Sequence, residues 1–94
     1  MDYTKIKIKD IPIGSCIMYQ LAYSNTYIAQ VKDYTNDENG EYFHIDDLIS
    51  IEKNGWLSDD LAIPQSYIDS GRLKILHMEK DIKSFQEKYP EHFI

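Results

Sequence analysis

The sequence contains a single cysteine, Cys16, among its 94 residues. One thiol cannot form an intrachain disulfide, which excludes the disulfide framework of small secreted domains. Long apolar runs are also missing, so we expect no membrane contact. The opening residues, MDYTKIKIKD, lack the apolar region of a signal peptide. Together these absences predict a soluble protein of a reducing cytoplasm.

Basic residues are scarce in the middle of the chain. The net charge is −6, and residues 33–70 contain ten acids but only one base, Lys53. The segments on either side carry a small excess of basic residues. A protein that binds nucleic acid directly usually has the opposite pattern, a basic stripe. Direct nucleic-acid binding is therefore not expected.

The length and composition indicate one folded domain over residues 1–94. Hydrophobic residues make up 43% of the chain and aromatic residues 13%, which is too apolar for a disordered segment. A chain of this size can bury a modest core without a metal or a disulfide. We find no internal repeat and no low-complexity linker that would mark a boundary between domains.

Alternating apolar residues and turn signals predict several short β-strands. In the first, KIKIKDI, Ile6 and Ile8 would face inward and the lysines outward. Asn39-Gly40 and Asn54-Gly55 are strong turn signals because both residue types tolerate positive φ, and a further turn is expected over residues 23–26. The predicted strands cover residues 5–11, 15–23, 26–34, 41–45, 48–53 and 72–76, with a break at Asp46-Asp47.

Two helices are expected in the second half of the chain. Residues 57–63 read as turn, and Pro64 and Gly71 suit the two ends of a short helix over 64–70. The segment 78–89 places Met78, Ile82, Phe85 and Tyr89 on one helical face. The predicted fold class is α+β, a small antiparallel β-sheet that could curl into an SH3-like barrel, with a C-terminal α-helix covering an open end.

The acidic loop fits a calcium site poorly. Aligned to an EF-hand loop, residues 35–46 match at Asp37, Asn39 and Gly40, but Thr35 and Asp46 replace the first and last ligands. His44 and Asp46 would share a strand face, yet no third or fourth ligand is spaced to join them. We therefore predict neither a metal nor another cofactor.

No catalytic motif is present either. Cys16 lies in a predicted strand, which suits a small buried hydrophobic residue better than a nucleophile. The acid pairs at 46–47 and 59–60 would point to opposite faces of a strand, so neither need act as an acid–base couple. The sequence predicts a protein that is not an enzyme.

The leading functional hypothesis is a small acidic protein-binding module. A negative surface with aromatic anchors suits a basic protein, and carboxylates could stand where phosphates normally lie in a nucleic-acid-handling enzyme. Small acidic proteins of this composition are common among phage accessory proteins, which suggests an inhibitor or modulator of a host nucleic-acid-handling or defence enzyme. The candidate partner-binding residues are Asp37, Glu38, Glu41, Tyr42, Asp46, Asp47, Trp56, Asp59 and Asp60.

Three other interpretations remain open. The acids could serve only to solvate turns and keep the protein soluble. A small-barrel recognition module could bind a peptide, a small ligand or nucleic acid through exposed aromatics such as Tyr19, Tyr27 and Tyr42. A homo-oligomer could bind a ligand between subunits. The sequence leaves open whether Trp56 is core or interface, and whether the acidic segments share one face.

Overall fold

The computed structural model describes residues 3–22, 25–52 and 55–93, and gives only the backbone for residues 55–59. Five strands form one antiparallel sheet in the order β4-β3-β2-β1-β5. Two short helices lie in the second half of the chain. The elements are β1 Cys16–Leu21, β2 Thr26–Asp37, β3 Gly40–Ser50, β4 Gly55–Pro64, α1 Gln65–Asp69, β5 Leu73–Glu79 and α2 Ile82–Lys88.

The expected antiparallel sheet with a C-terminal helix is confirmed, but the sheet is open. β4 and β5 stand at opposite ends of the strand order, and no ladder joins them within the described part of the chain. The sheet is therefore not a closed barrel. Neither helix among the described residues has the length and apolar character needed to span a bilayer.

The inner face of the sheet holds the main core. Alternate residues such as Ile17, Ala29 and Phe43 pack there against Ile8 of the N-terminal segment and Ile68 of α1. These residues are almost completely buried. We call the opposite side the outer face.

The prediction of a strand over residues 5–11 is wrong. Ile8–Asp10 forms a 3-10 helix, and Ile8 and Ile11, three residues apart, are both buried. Residues three apart lie on the same side of a 3-10 helix. The isoleucines of this segment are therefore compatible with a 3-10 turn as well as with a strand. The Gln65 side chain binds this segment in place of a neighbouring strand, because its Oε1 accepts from the Ile8 amide at 2.8 Å and its Nε2 donates to the Ile6 carbonyl at 3.0 Å.

On the outer face, α2 covers one half of the sheet. Phe85 is buried against Cys16, Met18 and Ile28, with Ile82 and Tyr89 at the edge of the cluster. The helix begins later than predicted because Met78 and Glu79 continue β5 and pair with β1. Asp81 sets the start of the helix, since its Oδ1 accepts a hydrogen bond from the Ser84 amide at 2.7 Å.

The strand boundaries in the middle of the chain also differ from the predictions. β3 runs without a break through Asp46-Asp47, with a register shift between Asp47 and Ile49. The predicted turn over 57–63 is instead part of β4, because these residues pair with β3. The short helix α1 is confirmed, with Pro64 just before it and Gly71 at φ +79° beyond its end.

The predicted turn at Asn39-Gly40 is confirmed. It joins β2 to β3, with Asp37 paired to Gly40 and Gly40 at φ +114°. Of the other two predicted turns, residues 23 and 24 and residue 54 lie outside the described residues.

Candidate functional site

The half of the outer face that α2 leaves uncovered carries a row of polar residues across three strands. Asp46 of β3 is the register partner of Gln30 on β2 and of Asp60 on β4. One step along the strands, His44 is the partner of Asp33 and of Ala62. We call this surface the open half-face, and define it as Gln30, Asp33, His44, Asp46, Asp60 and Ala62.

The alternation of each strand explains why these residues share a side. Gln30 lies between the buried Ala29 and Val31, and His44 lies between the buried Phe43 and Ile45. A strand points successive side chains to opposite faces, so the polar residue between two core residues faces outward. Asp33, Asp60 and Ala62 are exposed, and the other three residues are partly exposed.

Asp46 and Asp60 are carboxylates that stand directly opposite each other on this surface. Side chains directly opposite on antiparallel strands have Cβ atoms about 4.5–5.5 Å apart, and like charges at that distance destabilise the sheet. Neither carboxylate takes part in an ion pair within the described residues. Acids of two stretches, residues 33–47 and residues 59–60, therefore meet at this pair, through Asp46 and Asp60.

Histidine and lysine side chains border the acids. Thr35 Oγ1 lies 2.9 Å from Nε2 of His44, which fixes the position of the ring. Lys32 sits where the β2–β3 register shifts, and its Nζ donates to Oε1 of Gln30 at 3.5 Å. A shallow depression runs between them, lined by Lys32, Asp33, His44, Ile45, Asp60, Leu61 and Ala62. A cationic group could enter it from solvent.

Four of the predicted partner-binding residues lie at the tip of the β2–β3 hairpin. Asp37 and Glu38 are exposed, and Asp37 Oδ1 accepts from the Asn39 amide at 2.8 Å. Tyr42 donates to the Asn39 carbonyl at 3.0 Å, which braces the turn. Glu41 Oε2 accepts from the Tyr34 phenol at 2.9 Å. Burial and this hydrogen bond raise the pKa of Tyr34.

Asp47 requires a correction, because it does not lie on the surface. It is only 3% exposed, on the inner face, where its Oδ1 accepts from the Tyr19 phenol at 2.6 Å. Asp47 follows Phe43 and Ile45 in the alternation of β3 and is the register partner of Ala29, which places it on the inner face. In this fold Asp47 is not available to a partner.

The two remaining predicted residues, Trp56 and Asp59, are placed by backbone alone. Trp56 pairs with Ile49 and Asp59 pairs with Asp47. Their side chains lie outside the described part of the structure, so the roles of Trp56 and Asp59 stay predictions.

The aromatic residues of the alternative interpretation do not form one exposed cluster. Tyr19 is fully buried, with its ring 5.6 Å from that of Tyr27 on the inner face. Tyr42 lies on the hairpin, where it braces the turn. The expected exposed platform of Tyr19, Tyr27 and Tyr42 is therefore wrong, because period two turns Tyr19 into the core.

Cys16 is a core residue, as its strand context predicts. It is fully buried in the outer cluster beneath Phe85. Burial, with smaller contributions from Asp81 and Glu79, raises the pKa of this thiol to about 12. Cys16 is thus a protonated thiol at neutral pH, whereas the thiolate is the nucleophilic form.

The acidic hairpin is flanked by strands, which differs from the helix–loop–helix that an EF-hand requires. In the part of the chain that the structure describes, no three His, Cys, Asp or Glu side chains come together in a group that could hold a metal ion.

Sequence analysis identified Asp46 and Asp60 and placed His44 on the same strand face as Asp46, but it missed Gln30 and Asp33 as members of this surface. The register shift near Lys32 brings Asp33 opposite His44, and no local pattern in the sequence announces such a shift. The alternation Phe43-His44-Ile45-Asp46 is the signal that placed His44 and Asp46 on one side.

No protein-family model, no curated protein sequence and no solved structure matches this chain.

Proposed function

We propose that this chain is a small acidic protein-binding module, without catalytic activity, that engages a basic protein through the open half-face. The observation that carries the proposal is the Asp46–Asp60 pair, two carboxylates directly opposite each other on the uncovered part of the sheet. Asp33 and the exposed Asp37 and Glu38 of the hairpin extend the negative charge along β2.

The energetics of the pair favour a binding role over simple solvation. Like charges directly opposite each other destabilise a sheet, and solubility alone would be served equally well by acids placed apart. A cationic group between the two carboxylates would relieve this repulsion. Guanidinium groups are well suited, because their planar set of donors can engage two carboxylate oxygens at once.

The proposed partner is a nucleic-acid-handling or defence enzyme, which this chain would inhibit or modulate. Such enzymes bind phosphates in basic grooves, and a row of carboxylates on the uncovered part of the sheet could occupy such a groove. A negative surface also steers a basic partner and raises the association rate. The proposal places the chain in a reducing cytoplasm, because its one cysteine cannot form an intrachain disulfide.

An affinity capture with paired variants tests the proposal. Tagged wild type, an Asp46→Asn/Asp60→Asn variant and a Glu87→Gln/Glu91→Gln control would be incubated with host-cell lysate, and retained proteins identified by mass spectrometry. The two variants have the same net charge, but the control changes acids at the C-terminal end of the chain.

We expect a basic, nucleic-acid-handling protein that wild type and the control retain at low salt and release at high salt. The Asp46→Asn/Asp60→Asn variant should retain less of it. Equal retention by both variants would show that the open half-face is not the binding surface. If no specific protein were retained at low salt, the proposed function would be wrong.

A further inference from the structure

Both end strands of the sheet have an open edge. Within the described residues, no backbone hydrogen bond from another element reaches residues 73–79 of β5 or residues 60–64 of β4 on the side away from the sheet. An open edge is a template onto which another strand can add. The molecule therefore presents two such templates, one at each end of the strand order.

The two edges carry opposite charge. β4 contains two acids, Asp59 and Asp60, and no base. The segment 72–80, which includes β5, contains three bases, Arg72, Lys74 and Lys80, against one acid. Charge on an edge discourages pairing with a copy of the same edge. The same charges attract the β4 edge to the β5 edge. Because two β4 edges or two β5 edges repel each other, the pairing of β4 with β5 is also specific.

Each edge also exposes a leucine. Leu61 on β4 is 37% exposed, and Leu76 on β5 is 39% exposed. Leu76 lies at the register shift of the β1–β5 ladder, between residues that pair with Tyr19 and Met18. Among the described residues, three large hydrophobic side chains are exposed, and two of them lie on the end strands. Leu61 follows an acid on β4, and Leu76 lies near a base on β5.

We propose that a second copy of this chain is the partner of these edges, so that β4 of one copy adds to β5 of the next. Asp60 then lies against the bases of segment 72–80, and Leu76 packs near Ala62, because both lie on the outer face. β4 and β5 run in the same direction in the sheet, so a translated copy joins as a parallel pair. The contact is head-to-tail, and it produces a growing chain of copies or a ring rather than a two-fold dimer.

This assembly is weak and sensitive to salt. Parallel pairing is slightly less stable per residue than antiparallel pairing, and the charges at the contact remain close to solvent, where salt screens them. We therefore expect assembly at high protein concentration and low ionic strength.

Sedimentation velocity over a concentration series gives the test. The weight-average mass of wild type should rise above 11.1 kDa at low salt and return to it at high salt. Asp60→Lys and Lys74→Glu should each raise the protein concentration needed for assembly at least tenfold. The double variant should assemble at the concentration that wild type requires. Both residues are exposed, so the variants should fold, which circular dichroism would check.

Asp33→Lys is the matched control, because Asp33 is exposed on β2, the central strand of the sheet, and its register partner is His44 of β3 rather than a residue of either edge strand. This variant should assemble like wild type while losing the basic partner of the open half-face, which separates the two proposals. A wild-type mass of 11.1 kDa at every concentration and salt would overturn the inference. A double variant as weak as the two single variants would overturn it as well.

Cysteine crosslinking provides a second measurement in the same solution. Copies with Ala62→Cys are mixed with copies with Leu76→Cys under mild oxidation, and Cys16 is buried and does not interfere. Mixed disulfides between positions 62 and 76 should exceed both kinds of like disulfide. An excess of 62–62 or 76–76 disulfides would contradict the head-to-tail contact.

Discussion

The Tyr19 phenol donates a hydrogen bond to the Asp47 carboxylate at 2.6 Å, on the buried inner face of the sheet. Tyr19 is fully buried and Asp47 is 3% exposed. β1 and β3 are separated by β2, so this contact joins two strands that are not neighbours. A buried carboxylate is costly unless donors satisfy it, and a hydrogen bond to a charged group is among the stronger kinds.

Tyr19→Phe should destabilise the protein by about 1.5–3 kcal/mol, because it removes a donor from the buried Asp47 while nearly preserving the shape of the core. Urea denaturation would measure the free energy of unfolding. Tyr34→Phe is the control, since it removes a phenol bonded to Glu41 near the surface. Equal losses for the two variants would contradict the importance assigned to the Tyr19–Asp47 bond.

Gln65→Ala should loosen the N-terminal segment. It removes the acceptor of the Ile8 amide and the donor to the Ile6 carbonyl, which leaves two partly buried backbone groups without a partner. The expected loss is about 1–3 kcal/mol, with faster hydrogen exchange at the Ile8 amide. Gln20→Ala, at an exposed position of β1, should change neither quantity. An unchanged exchange rate at Ile8 in Gln65→Ala would show that other contacts hold the segment.

Asp81 should make the stability depend on pH below its ordinary pKa of 3.8. The hydrogen bond from the Ser84 amide lowers the pKa of Asp81, so the folded state favours the carboxylate. Its contribution is complete above pH 3.8 and is lost as the pH falls through the lowered value.

Asp81→Asn keeps an oxygen acceptor for the cap but cannot titrate. Thermal melts of wild type and variant should therefore differ at neutral pH and converge under acidic conditions. A difference that stays constant through the acid range would show that Asp81 does not titrate with folding. Glu87→Gln, on the exposed side of α2, provides the comparison.

The Cys16 thiol should resist modification in the folded protein. Burial raises its pKa to about 12, and a reagent must also reach it beneath Phe85. We expect labelling to occur only as fast as the molecule unfolds, so labelling should accelerate in urea in step with unfolding. Rapid labelling without denaturant would contradict the burial of Cys16 and reopen the question of a reactive thiol.

Much of the fold could be predicted from local signals. Asn39-Gly40 located the β2–β3 hairpin, Gly71 marked the end of α1, and the spacing of Ile82, Phe85 and Tyr89 identified the face of α2. These features depend on neighbouring residues, so the sequence carries them directly. The N-terminal segment could not be predicted in this way, because its structure depends on Gln65, which is distant in sequence.

The candidate site was only partly predictable for the same reason. That Asp46 and Asp60 meet follows from the pairing of β3 with β4, and β4 was not predicted as a strand. The burial of Asp47 depends on β3 continuing through the predicted break at Asp46-Asp47, and on Tyr19, which lies on a strand that is not a neighbour of β3. Composition indicated that acids are concentrated in this part of the chain, but only long-range pairing decides which of them face solvent.

The central claim is that the open half-face binds a basic protein through its charge. The most direct measurement is the association rate constant with the captured partner, at low and high ionic strength, for wild type, Asp46→Lys/Asp60→Lys and a Glu87→Lys/Glu91→Lys control of equal net charge. We expect fast association of wild type that slows with salt, and a much slower and less salt-dependent rate for the Asp46→Lys/Asp60→Lys variant, with the control close to wild type. Identical rates for the two variants would contradict the claim, because net charge rather than the open half-face would then govern association.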